Sequence, residues 1–120
     1  MAKTVLVADD NRLIRKVLCE LFEKEEKYDI CAEACNGAEA IELARTHNPD
    51  LIILDLSMPV MDGLQAARKL RQLMPEVPMI LFTQFADSTV LAIPDLPFDA
   101  VVSKHDGAKL MDKVRALVPA

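Results

Sequence analysis

Short runs of branched apolar residues alternate with longer segments of helical period from one end of the chain to the other. Five runs, at 4–8, 29–34, 51–54, 79–82 and 100–103, read as strands. The first, third and fourth are almost wholly apolar, which suits strands covered on both faces; the second alternates more and belongs at an edge. Between the first two, Leu13, Ile14, Val17, Leu18, Leu21 and Phe22 form a helical stripe with Arg15, Lys16, Glu20 and Glu23 opposite as a solvent face. A second helix is predicted over 37–46, with Ile41 and Ala44 inward and Asn48-Pro49 ending it. A third begins near Asp62-Gly63 and carries Leu64, Ala67, Leu70 and Leu73 until Pro75. A last helix from about Asp106 places Leu110, Met111, Val114, Leu117 and Val118 on one face. These stripes read as core. The segment 84–97 is limited by Pro94 and Pro97 to a short helix followed by loop. The alternation predicts an α/β fold, a doubly wound parallel sheet of five strands with crossover helices.

A length of 120 residues suits a single domain spanning 1–120 and leaves no room within it for an output domain. No apolar run approaches the roughly 20 residues of a membrane span. Met1-Ala2-Lys3-Thr4 leads straight into a strand without the regions of a signal peptide, so the expected location is cytoplasmic, with no membrane partner. A net charge of -5 argues against direct nucleic-acid binding, because that affinity comes from clustered Lys and Arg. Cys19, Cys31 and Cys35 are an odd number, against a disulfide framework. Cys31 and Cys35 would share one strand face and Cys19 the apolar stripe, as small buried thiols do. Their spacings with His47 match no zinc pattern.

Right-handed crossovers put every βα turn on the carboxyl edge of the sheet, where open α/β sheets bind ligands. Four such turns carry chemistry: the first strand ends in Asp9-Asp10, the third in Asp55, the fourth in Thr83 and the fifth in Lys104. If these strands are neighbours, three carboxylates, a hydroxyl and an ammonium converge. Carboxylates about 4 Å apart repel by roughly 4 kcal/mol per pair at an effective dielectric of about 20. A cation must relieve this, and an all-oxygen site with few protein ligands suits Mg²⁺. Any one of these aspartates, and Asp62 before Gly63, could instead be an N-cap or turn residue. Five such groups at the ends of four strands favour a functional site.

These residues resemble the receiver domains of two-component response regulators. The resemblance covers the whole chain and rests on Val5-Leu6-Val7-Ala8-Asp9-Asp10, on the run from Pro49 through Asp55-Leu56-Ser57-Met58-Pro59 to Asp62-Gly63, on Thr83 and on Lys104. It implies a flavodoxin-like (βα)5 fold with strand order 2-1-3-4-5. It implies that Asp55 is the phosphoacceptor and that Mg²⁺ is held by Asp10, Asp55 and the main-chain carbonyl of Ser57, with Asp9 helping directly or through water. Thr83 and Lys104 would hold phosphoryl oxygens. In-line transfer needs charge neutralised on the equatorial oxygens, and Mg²⁺ with a lysine ammonium supplies that. The implied partners are a histidine kinase or phosphotransfer protein and an output partner or domain, with room for a homodimer through the last helix and its neighbouring face. The implied chemistry is limited to the domain's own phosphorylation and slow dephosphorylation. Glu33-Ala34-Cys35-Asn36-Gly37 and Asp55-Leu56-Ser57-Met58-Pro59 also resemble receivers that precede helix-turn-helix DNA-binding domains.

Three positions depart from the family. His105 replaces the proline that usually follows the lysine through a cis bond; a cis bond without proline costs about 3 kcal/mol or more, so a trans bond is expected. Gln84 replaces a small residue after Thr83, which would narrow access. Val101 replaces the usual aromatic switch, so output must use another element, the segment 84–97 and the neighbouring face of the last helix. These departures keep open a pseudo-receiver, an interaction module that works without phosphorylation. A flavin-binding electron carrier of the same architecture is disfavoured, because its first loop must wrap a phosphate and here two carboxylates precede Asn11.

Overall fold

In the computed structural model, which describes residues 2–120, five parallel strands form one sheet in the order β2-β1-β3-β4-β5. They are β1 (Lys3–Ala8), β2 (Tyr28–Ala34), β3 (Leu51–Leu54), β4 (Met79–Thr83) and β5 (Ala100–Ser103). The helices are α1 (Arg12–Glu23), α2 (Gly37–His47), α3 (Gly63–Leu73), α4 (Ser88–Leu91) and α5 (Gly107–Leu117). The doubly wound α/β fold and its strand order are as expected, with β2 at the edge that its alternating pattern predicted.

Two-residue alternation along the strands divides the core in two. Val5, Val7, Leu51, Ile53, Ile80, Phe82 and Val102 face one side, where they meet Leu18 and Phe22 of α1 and Leu110, Met111 and Val114 of α5. Leu6, Ala8, Ile52, Leu54 and Met79 face the other, against Ala40 and Ala44 of α2 and Ala67 and Leu70 of α3. Alanines at those helix positions let α2 lie close to β1 and β2, and α3 close to α2. The α5 stripe is thus spent on this domain's own core, and the Tyr28 hydroxyl donates to the Val118 carbonyl at 2.6 Å to secure its end.

Three apolar assignments are corrected. Leu13 and Val17 are 70% and 47% exposed, because α1 buries only the narrower arc through Ile14, Leu18, Leu21 and Phe22. Leu73, on the last turn of α3, is 51% exposed, and Leu70 and Met74 take the inward positions there. Cys35 lies beyond the end of β2 and is exposed, its thiol donating to Glu39 at 3.5 Å, while Cys19 and Cys31 are half-buried; all three are free.

Each helix start has its own cap, which matters for the acidic residues. Asn11 caps α1, Asn36 caps α2, and Asp62 caps α3 in a reciprocal capping box with Gln65. Asp87 and Asp106 cap α4 and α5. Asp62 therefore serves as a cap, whereas Asp9, Asp10 and Asp55 cap none of these helices. As predicted, α4 is short, at four residues. At the opposite edge of the sheet, Arg71 donates to the carbonyls of Pro75, Val77 and Pro97 and pairs with Asp99 at 2.9 Å, tying α3 to the strand that follows the α4 loop.

Candidate functional site

The alternation that sends Val7, Ile53 and Val102 to the α1/α5 face carries over to Asp9, Asp55 and Lys104, each two residues further along. Asp9, Asp10 and Asp55 each offer a carboxylate oxygen within 4.8 Å of one another. Asp9 and Asp55 are buried, and Asp10 stands at the exposed rim. The Lys104 ammonium reaches between the two buried acids, 2.8 Å from Asp9 Oδ2 and 3.0 Å from Asp55 Oδ2. The Asn11 amide donates to Asp9 Oδ1 at 2.9 Å, and the Leu56 amide to Asp55 Oδ1 at 2.8 Å. Both acids are thus oriented at each oxygen, and the Asp55 amide in turn donates to the Ala8 carbonyl at 2.9 Å.

Burial raises the Asp9 carboxyl above the usual aspartate range, against the opposing pull of the Lys104 ammonium and the Asn11 amide. Burial also works against the Lys104 charge, but its hydrogen bonds to Asp9 and Asp55 outweigh this and leave the ammonium above the usual lysine range. The lysine is the less buried partner, with a side chain 12% exposed against 2% for Asp9, so desolvation falls harder on the acid.

Thr83 closes the strand that lies between those leading to Asp55 and Lys104. It is fully buried at the end of β4, in the opposite strand parity to Phe82, and its hydroxyl accepts from the Phe85 amide at 3.2 Å. It is linked to Lys104 through the backbone, since the Lys104 amide donates to the Thr83 carbonyl at 3.1 Å. Ser57 is exposed two residues beyond Asp55. Gln84 and His105 are exposed, and no peptide bond among the described residues is cis. Replacing the usual proline has not kept the Lys104 ammonium from the acids.

The turn after β3 is held from two sides. Gly63 at the start of α3 donates to the Leu56 carbonyl, and Gly37 at the start of α2 donates to the Met61 carbonyl, both at 2.8 Å. Within it, the Met61 amide donates to the Pro59 carbonyl at 2.7 Å, and Val60 takes a left-handed φ of 67°. Arg15 is a site neighbour that sequence reading assigned to the solvent face; its guanidinium donates to the Asp9 carbonyl at 2.7 Å. The available signal was the tilt of helical side chains toward the N-terminus, which leans a long residue in the first turn back over the preceding loop.

The donor set fits Mg²⁺ chemically: three carboxylates and no nitrogen or sulfur ligand, in a place where the fold already puts a positive charge between two of them. A doubly wound parallel sheet with an acidic cluster and a lysine at its carboxyl edge defines the class of domain. The chain matches the family described as "Response regulator receiver domain" over residues 5–115 and belongs to it. It is 44% identical over 84 residues to the transcriptional regulatory protein PdtaR of Mycobacterium tuberculosis, covering 68% of this chain and 40% of that one. It is 36% identical over 110 residues to a protein-glutamate methylesterase/protein-glutamine glutaminase of Pseudoalteromonas atlantica, covering 88% and 29%. The chain thus spans well under half the length of these two relatives. The response regulator protein TrrA of Thermotoga maritima, solved in complex with Mg(2+)-BeF, superposes with a TM-score of 0.87 at 34% identity, covering 97% of this chain and 99% of that one. Among the described residues no helix is long and apolar enough to cross a membrane.

Proposed function

We propose that this chain is a phosphoacceptor switch, in which Asp55 takes a phosphoryl group from a phosphohistidine on a histidine kinase or phosphotransfer protein. The observation that carries this reading is the Lys104 ammonium 3.0 Å from Asp55 Oδ2. It leaves a buried nucleophile with a cation beside the place where phosphoryl oxygens must arrive. In the transfer, a carboxylate oxygen of Asp55 forms the bond to phosphorus as the bond to the donor nitrogen breaks, giving an aspartyl phosphate. Lys104 neutralises charge on the transferred group. Asp9, Asp10 and Asp55, with the Ser57 carbonyl, would hold Mg²⁺, which when bound supplies further neutralisation. That TrrA has been solved with Mg(2+)-BeF supports a divalent cation here.

Thr83 would turn its hydroxyl to the new phosphoryl group, which draws on the Phe85 amide that it now accepts from. Phe85 is half-exposed beside an open cleft of about 380 Å³ lined by Leu56, Val90 and Ile93. The segment 84–97 is therefore the route to the output partner, in place of an aromatic at Val101. Mass spectrometry after treatment with acetyl phosphate and Mg²⁺ tests the assignment. Wild type is expected to gain about 80 Da, and Asp55→Ala or a chelated sample to gain nothing. Equal labelling of wild type and Asp55→Ala would remove Asp55 from the role. A folded wild type that takes label from neither acetyl phosphate nor a phosphohistidine protein would leave the pseudo-receiver reading in its place.

A further inference from the structure

Arg15 is drawn into the molecule although its sequence position places it on the charged side of α1. Its side chain is 18% exposed, with Nη1 on the Asp9 carbonyl at 2.7 Å and Nε 3.3 Å from Glu33 Oε1. One guanidinium thus joins α1, the end of β1 and β2. The carbonyl it holds belongs to the peptide between Asp9 and Asp10. Asp9 is secured independently by Asn11 and Lys104 through its carboxylate. Asp10 is exposed, so the backbone that carries it does most of its aiming. Rotation of the Asp9–Asp10 peptide would swing Asp10 away from the other two acids, and that rotation would break the bond to Arg15.

We propose that Arg15 is a positioning residue for the divalent-cation site, fixing the Asp9–Asp10 peptide so that the Asp10 carboxylate stays turned toward Asp9 and Asp55. This rests on the reading of the acidic cluster as a Mg²⁺ site. Charge and positioning make opposite demands, which renders the idea sharp. A guanidinium near the cluster repels an incoming cation, so deleting its charge alone would tighten Mg²⁺ binding. Deleting a group that orients the ligand backbone loosens it, and outer partners of metal ligands are typically worth roughly 10- to 100-fold in affinity.

Isothermal titration of the full chain with Mg²⁺, well below the unfolding temperature, separates the two. Wild type, Arg15→Ala, Arg15→Met and Glu33→Gln are compared, with folding of each checked by circular dichroism. Arg15→Met keeps the packed stem should Arg15→Ala fail to fold. The Arg15 variants are expected to bind Mg²⁺ at least about tenfold more weakly than wild type. Glu33→Gln breaks the ion pair and leaves the Asp9 bond, so it is expected to stay near wild type. Wild-type or tighter affinity in a folded Arg15 variant overturns the proposal. Glu33→Gln weakening Mg²⁺ as much as the Arg15 variants also overturns it, since the effect would then not run through the Asp9 carbonyl. No binding by wild type overturns the metal reading beneath it.

Discussion

Gly63→Ala is expected to cost about 2 to 4 kcal/mol and to displace the turn that begins at Asp55. The φ of Gly63 is not positive, so the demand for glycine here comes from proximity. A methyl group at Gly63 would overlap the Asp55 carbonyl oxygen, with the carbonyl carbon 2.8 Å away and the Leu56 Cα 3.0 Å away. These are backbone atoms of the buried Asp55 and its neighbour Leu56 and cannot rotate aside. Either α3 backs away, losing the 2.8 Å bond from the Gly63 amide to Leu56, or the Asp55 peptide shifts and takes its carboxylate with it. Overpacking of this kind typically costs about 1 to 3 kcal/mol, and the lost hydrogen bond about 1 more. Urea unfolding followed by circular dichroism measures the first effect, and phosphorylation of the folded fraction the second. A variant with wild-type stability and wild-type labelling would show that the turn tolerates a side chain there.

Lys104→Met is expected to destabilise the metal-free fold by about 3 to 5 kcal/mol, the usual consequence of removing one partner of a buried ion pair. The side chains of Asp9 and Asp55 are 2% and 6% exposed, so neither acid can turn to water for the lost charge. Mg²⁺ should then become the replacement cation. A ligand that binds only the native state adds about 2.7 kcal/mol at a hundredfold excess over its Kd. The melting temperature of the variant is therefore expected to rise with millimolar Mg²⁺ by more than that of wild type. An equal shift in both proteins, or none, would count against shared use of these carboxylates by Lys104 and metal.

The pH dependence has a definite sign. Burial opposes the Lys104 charge, but hydrogen bonds to Asp9 and Asp55 prevail and raise its pKa above the ordinary 10.5. A raised folded value means that its contribution is complete below the ordinary value and is lost as pH rises through the folded one. The stability gap between wild type and Lys104→Met should therefore stay open through neutral pH and close only in strongly alkaline solution. A gap that closes near pH 7 would contradict the pairing.

Much of the site was legible because its chemistry lies at strand ends. Apolar runs located the five strands, and an acidic or basic residue just past each of three of them identified Asp9-Asp10, Asp55 and Lys104. Thr83 was found by its place at the end of β4, and its hydroxyl accepts from the Phe85 amide two residues on. Periodicity overestimated the buried arc of α1: a helix lying against a sheet covers a stripe only as wide as its contact, so Leu13 and Val17 stay outside.

The pattern of apolar and polar positions by itself determined the element order, the parallel α/β class and the identity of the acids at the carboxyl edge, since these follow from local periodicity and right-handed crossovers. Three things waited for the tertiary structure. The Lys104 ammonium lies between Asp9 and Asp55, which separations of 95 and 49 residues along the chain do not reveal. Gly63 is needed because the backbones of α3 and the Asp55 turn touch. Arg15, ordinary charge in a helical pattern, becomes part of the site because β2 and the end of β1 both come within its reach. Each depends on a distance that the apolar pattern leaves open, whether the partners are six residues apart, as Arg15 and Asp9 are, or 95, as Lys104 and Asp9 are, and packing of the helices on the sheet decides that distance.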